Sequence, residues 1–218
     1  MSLTLYGIAV SSYVAKVRLA LRLKGVAFEE VPPPGGYGSI AYRAIIAAGT
    51  VPAIVHDGFA LSESSAILEY LEDSFPGTPL HPADIKLRAT HRGIALYHDT
   101  KLEPAVRALF PLFTNPPSPE KLAEFRLVYE ERLEKLAELV NPSPFLGGAS
   151  IALGECGYPA TLMMGYRILK ALGAPPKEPG VISRWRQAFE RHTVAAENTA
   201  YCESALDAWI AGKLAARS

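Results

Sequence analysis

The sequence predicts an α/β unit over residues 1–78, in the order β-α-β-α-β-β-α, followed by an all-α unit over residues 84–218. Three observations carry this prediction. The apolar period alternates between two and about 3.6 in the first unit and stays helical after Asp84. Pro and Gly cluster at the breaks, as in Pro32-Pro33-Pro34-Gly35-Gly36 and Pro76-Gly77-Thr78-Pro79. The stretch Glu155–Leu172 is apolar on nearly every side, the mark of a helix at the centre of the second unit.

Each element follows in order. Leu3, Leu5 and Gly7 alternate as in a short strand. Val14, Val17, Ala20 and Leu21 share one face of a helix over Tyr13–Lys24, and Gly25 stands where a helix C-terminus takes a left-handed residue. Val26–Val31 reads as a second strand and the Ala/Ile-rich Ser39–Ala48 as a helix. Pro52–His56 and Phe59–Leu61 flank Asp57-Gly58, a hairpin turn signal. Ser64–Phe75 is helical, with Ile67, Leu68 and Leu71 on one side. In the second unit, Ile85–Phe110 is a long helix kinked by Pro104. Ser118 and Pro119 carry helix-start chemistry for Glu120–Val140. Ile182–His192 and Thr199–Ala215 complete the set.

Composition excludes several classes. Lys+Arg and Asp+Glu are both 22, which argues against nucleic-acid binding and a polybasic membrane anchor. With 49% hydrophobic residues the chain is not globally disordered. No apolar run approaches the ~20 residues of a membrane span, and the N-terminus lacks a secretory signal pattern, so a cytoplasmic location is expected. Cys156 and Cys202 form no CxxC pair, and the five histidines are scattered, so no metal is expected. P-loop, G-x-G-x-x-G and G-x-S-x-G motifs are absent.

Three positions admit both a structural and a chemical role. Ser11 stands where the first helix begins; it is either an N-cap or a hydroxyl donor to an anion such as a thiolate. Pro52 opens a strand; a cis bond after Val51 would turn the Val51 backbone toward an extended peptide. At Glu63-Ser64, either Ser62 or Ser64 caps the third helix, or Ser64 and the first-turn amides receive a carboxylate while Glu63 receives an ammonium. Tyr97-His98-Asp99 falls within a helix, where solvated or subunit-contact roles are the expectation.

Taken together, three blocks resemble the cytosolic glutathione transferases of the serine type, in a bacterial-like form. They are Leu5-Tyr6-Gly7 with Ser11-Ser12-Tyr13-Val14-Ala15-Lys16-Val17-Arg18, then Gly49-Thr50-Val51-Pro52-Ala53-Ile54-Val55, then Leu61-Ser62-Glu63-Ser64-Ser65-Ala66-Ile67. The likeness extends more loosely to Trp185 and Ala205-Leu206-Asp207-Ala208-Trp209. It implies a thioredoxin-like glutathione-binding domain over 1–78, an all-helical domain over 84–218, and a homodimer. It implies catalysis by Ser11, with Tyr6 as a rival, and glutathione binding by Ser11, Val51, Pro52, Glu63 and Ser64. The implied activity is formation of a glutathione thiolate that attacks small hydrophobic electrophiles, a detoxification chemistry, with Tyr97, Leu102 and Tyr166 as candidate walls for the electrophile.

Ser11-Ser12 also matches glutathione-dependent cis-trans isomerases of the maleylacetoacetate type, although Tyr13 replaces their cysteine. Three further departures stand out, of which the first favours a non-catalytic glutathione-binding or interaction module and the last concerns folding of the core helix. The Gly35–Ser39 loop lacks the Lys, Arg or His that many members set against the glycyl carboxylate, and Ile46-Ala47 replaces a frequent Asn-Pro. Ala152 stands where a capping Ser or Thr is usual ahead of the core helix.

Overall fold

The chain, seen in a computed structural model, is described over residues 2–216; Met1, Arg217 and Ser218, which end the two expected units, lie outside the described residues. The first part comprises β1 (Leu3–Tyr6), α1 (Ser12–Leu23), β2 (Glu29–Val31), α2 (Ile40–Arg43), β3 (Ala53–His56), β4 (Phe59–Ser62) and α3 (Ser64–Ser74). The strands form one mixed sheet in the order β2-β1-β3-β4. β1 runs parallel to β2 and antiparallel to β3, with Leu5 opposite both Glu30 and Ile54. This is the expected thioredoxin-like arrangement. Strand alternation divides the sheet between two faces. Leu3, Leu5 and Ile54 join the core under α1 and α3, whereas Tyr6, Ala53 and Val55 pack with Tyr42 and Ile46 on the α2 side.

The second part is helical: α4 (Ile85–Tyr97), α5 (Glu103–Arg107), α6 (Pro119–Leu139), α7 (Tyr158–Ala171), α8 (Gly180–Arg191) and α9 (Thr193–Ala215). A continuous apolar core runs from Leu5 through α1 into Leu162, Ile168 and Trp185. Asn198 of α9 ties the parts together by donating from Nδ2 to the Ala15 carbonyl at 3.0 Å.

Several boundaries differ from expectation for identifiable reasons. β2 covers only Glu29–Val31, because the Val26 N–H turns back to the Leu21 carbonyl and Gly25, at φ +67°, closes α1. α2 is a single turn, after which the chain bends through Ile46 to Gly49 at φ +67°. The long helix expected over Ile85–Phe110 is broken. Pro104 supplies no N–H, and the turn before it, His98–Leu102, is π-helical. α9 begins at Thr193 rather than Thr199, because the His192 imidazole accepts from the Ala195 N–H at 3.4 Å. Ser118 caps α6 as expected, accepting from the Lys121 N–H.

The core helix solves its missing cap differently. Ala152 offers no side-chain acceptor, yet the buried Glu155 carboxylate accepts from the Ala152 N–H at 2.6 Å, the Leu146 N–H at 2.8 Å and the Trp185 indole at 2.8 Å. α7 then starts at Tyr158, with Pro159 in its first turn.

Candidate functional site

The loop between β1 and α1 delivers Ser11 in extended conformation, φ −89° and ψ 119°. Its Oγ accepts from the Val14 N–H at 3.3 Å, so it is an N-cap. Accepting with a lone pair leaves the Ser11 proton free to donate elsewhere, so capping and donation are compatible. Ser11 is 8% exposed. Ser12 is committed elsewhere: its hydroxyl donates to Glu103 Oε1 at 2.8 Å. Tyr13 follows, its phenol donating to the Asp99 carbonyl at 3.2 Å. Burial, then the charges of Glu103 and Asp99, push that phenol well above its ordinary pKa.

Across from α1 stands the N-terminus of α3. Glu63 occupies the cap position at φ +72°, a left-handed conformation that costs about 1–3 kcal/mol for a residue other than glycine. Contrary to the capping alternative, neither Ser62 nor Ser64 caps α3, and Glu63 makes no side-chain cap bond, so the first-turn N–H groups have no capping acceptor. Ser64 rests on a charged layer. Lys16 Nζ donates to Ser64 Oγ at 3.2 Å, to Ser65 Oγ at 2.8 Å and to both Asp99 oxygens. The Lys16 and Asp99 side chains are 2% and 17% exposed. His98 extends the layer inward, with Nδ1 2.7 Å from Asp99 Oδ1 and Nε2 2.8 Å from Thr161 Oγ1. Burial alone would raise the Asp99 carboxyl; the His98 hydrogen bond and the Lys16 charge outweigh it and hold it below the usual carboxylate range.

These elements enclose a cleft of about 340 Å³. Val51, Pro52, Glu63 and Ser64 line it, together with Tyr13 and Asp99. The Val51–Pro52 bond is cis. Of the five residues expected to bind glutathione, Ser11 alone is not in this wall; it sits at the helix end two residues before Tyr13. Tyr6 is turned to the α2 side of the sheet, its ring 5.4 Å from that of Tyr42. The expected electrophile wall is corrected. Leu102 is fully buried in the core, the Tyr97 phenol donates to the Arg132 carbonyl, and Tyr166 lines a different hollow beside Arg167 and Asp207.

No local pattern marks Lys16 as a site residue, and the solvated or subunit-contact role expected of His98 and Asp99 is corrected, since both are held in the charged layer behind the cleft. Lys16 lies beside the apolar stripe of α1 rather than opposite it, and Asp99 reaches the cleft from the π-helical turn that only Pro104 hinted at. Arg43 is a further unforeseen cation. Its Nε donates to the Gly38 carbonyl at 3.0 Å, and its Cζ lies 3.1 Å from where a Cβ on Gly49 would stand. The guanidinium therefore fills space beside Thr50, itself a lining residue of the cleft, that a side chain at position 49 would need. Both cysteines are buried, which pushes their thiols up and leaves them inert.

The family described as Glutathione S-transferase, N-terminal domain, matches residues 5–79. Over those residues the chain is similar to the N-terminal domain of glutathione S-transferases. Among curated relatives, glutathione S-transferase Z2 of Arabidopsis thaliana is 38% identical over 92 residues, 41% of each chain. Maleylacetoacetate isomerase of Pseudomonas aeruginosa is 40% identical over 101 residues, 44% of this chain and 47% of that one. These matches span about half the length of the relatives. The fold extends further: rice GST1, solved with glutathione, superimposes with a TM-score of 0.82 at 24% identity over 97% of each chain. The thioredoxin-like part and the helical part thus have the architecture of solved glutathione transferases. No described helix is long and apolar enough to cross a membrane, and no group of three metal-binding side chains occurs among the described residues.

Proposed function

We propose that the chain is a serine-type glutathione transferase whose cleft binds glutathione and forms its thiolate beside Ser11. The observation that carries this reading is the polar end of the cleft. An uncapped helix N-terminus with Ser64, backed by buried Lys16, favours a carboxylate, and the adjacent Asp99 and Glu63 favour an ammonium. An α-amino acid end such as the γ-glutamyl group of glutathione presents both charges side by side. The Val51 backbone then pairs with the cysteinyl part, and Arg43 supplies the cation for the glycyl carboxylate that the Gly35–Ser39 loop lacks.

A model thiol has a pKa of ~8.5 and is mostly protonated at neutral pH. A charge-assisted hydrogen bond from Ser11 is worth about 1.5–3 kcal/mol, which lowers that value by roughly one to two pH units. The positive end of α1 acts in the same direction. The thiolate sulfur then forms a bond to an electrophilic carbon of a small hydrophobic substrate. The displaced electron pair leaves with a leaving group, or passes to a conjugated acceptor that takes up a proton.

A second reading has support of its own. Ser11-Ser12 and the likeness to the Pseudomonas aeruginosa isomerase favour reversible thiolate addition to a conjugated cis double bond, rotation and expulsion. We further propose a division into domains at 79–83, a symmetric homodimer and a cytoplasmic location, the last in keeping with two unpaired buried cysteines. Calorimetric titration with glutathione, followed by turnover of a panel of halogenated aromatics and conjugated dienoic acids, tests the activity. Binding with turnover is the expected result. Binding without any turnover establishes the non-catalytic module, and absence of binding overturns the reading of the cleft.

A further inference from the structure

Glu103 is a buried carboxylate for which the proposed reaction has no use. It is 2% exposed and opens α5. Its Oε1 accepts from the hydroxyl of Ser12, the residue after Ser11, at 2.8 Å, and from Arg107 Nη2 at 2.6 Å. Arg107 Nε adds a bond to the same oxygen at 3.1 Å. Arg107 itself is 57% exposed, and its guanidinium carbon lies 5.7 Å from the centre of the Tyr13 ring.

The pair spans one turn of α5 and joins a buried carboxylate to an exposed guanidinium. Its place in the fold is telling. It puts a full negative charge against the first turn of α1, where a developing thiolate would be disfavoured, and a compensating cation beside the ring of Tyr13, a lining residue of the cleft. The other charged and titratable groups facing this region are Lys16 and Tyr13 from α1, Asp99 and His98 from the π-helical turn, the His98 ring 6.1 Å from that of Tyr13 and its Nδ1 engaged by Asp99, and Glu63 from α3. Lys16 is already matched by Asp99, so Arg107 is the cation left to offset Glu103. The Tyr13 phenol senses the same field: burial raises it first, Glu103 raises it further and Arg107 pulls it back.

We propose that Arg107 is a positioning residue of the reaction, which sets the acidity of the bound thiol by neutralising the Glu103 carboxylate beneath the end of α1. The proposal rests on the reading of the cleft as a glutathione site beside Ser11. It makes the exposed partner of a buried carboxylate a determinant of thiolate formation.

The test is the ultraviolet absorbance of the glutathione thiolate bound to the wild type, Arg107→Gln, Glu103→Gln and the double variant, followed against pH. Arg107→Gln should move the bound-thiol titration upward by roughly one pH unit, and Glu103→Gln should move it downward by a similar amount. The double variant should return close to the wild type. Arg107→Gln should also lose activity at neutral pH and recover it in alkaline solution, which a structural role would not produce. Gln at position 103 keeps an acceptor for Ser12; should that variant not fold, exposed Arg107 decides the matter alone. Titrations that coincide with the wild type overturn this proposal and leave the glutathione reading intact. A wild type that binds glutathione without thiolate absorbance at neutral pH overturns both.

Discussion

Lys16 Nζ lies 3.2 Å from Ser64 Oγ and 2.8 Å from Asp99 Oδ2, so one buried ammonium holds the floor of the cleft. It enters Ser64 as a donor and occupies the acceptor side of that hydroxyl. The Ser64 proton is left to point toward a bound anion.

Removing Lys16 should therefore cost both stability and affinity. Lys16→Met leaves Asp99 with His98 but without its ammonium partner, a loss of about 3 kcal/mol for a largely buried pair. Glutathione affinity should fall roughly tenfold, about 1.4 kcal/mol, because Ser64 is no longer oriented. Thermal unfolding and calorimetry on the same variant check both; an unchanged dissociation constant would show that Ser64 needs no such support.

Asp99 should confer a stability that depends on pH. Its carboxyl is depressed in the fold, so the unfolded chain takes up its proton first as acid is added. The stabilisation is fully present above the unfolded value of ~3.9 and fades as pH falls below it. Asp99→Asn should thus melt below the wild type at neutral pH, and the gap should close in acid. Melting temperatures measured across pH give the answer; a gap independent of pH would contradict it.

Arg43 should matter for one end of the ligand only. A charge-assisted bond to the glycyl carboxylate is worth about 1.5–3 kcal/mol, so Arg43→Ala should weaken glutathione binding roughly 10- to 100-fold. γ-Glutamylcysteine, which lacks the glycine, should bind wild type and variant alike. Equal losses for the two ligands would remove Arg43 from the site.

Glu155 governs the second part of the chain. Glu155→Ala strips a buried acceptor from the Ala152 and Leu146 N–H groups and the Trp185 indole. Each buried donor left unpaired costs about 1–3 kcal/mol, so the variant should unfold well below the wild type or fail to fold. Burial also raises the Glu155 carboxyl. The sign is opposite to that of Asp99: here stability declines as pH rises from the unfolded value toward the raised one.

The strands, the major helices and their order were legible because periodicity and punctuation report burial locally. Val14, Val17, Ala20 and Leu21 announce α1, and Asp57-Gly58 turns β3 into β4 at φ +46° and +87°. Four of the five predicted site residues line one cleft, since each lies at the end of a strand or helix that such patterns locate. What stayed hidden depends on contacts distant in sequence. Lys16 and Asp99 are 83 residues apart, and neither has a local signal that the other neutralises it. The π-helical turn that aims Asp99 arises from a missing N–H at Pro104, whose effect periodicity blurs into one long helix. The departure at Ala152 looked like a lost cap, but Glu155 kept the other half of the motif.

Ser11 is proposed both to cap α1 and to stabilise a thiolate, and Ser11→Ala separates the two roles. The measurement is the pH titration of bound glutathione thiolate absorbance in wild type and variant. Ser11→Ala should lose about 0.5–2 kcal/mol of stability with the cap. Its bound thiol should titrate roughly one to two pH units higher than in the wild type. The rate at neutral pH should fall about 10- to 100-fold and recover as pH rises. A titration that stays where the wild type has it, with only the melting temperature lowered, would leave Ser11 a cap and nothing more.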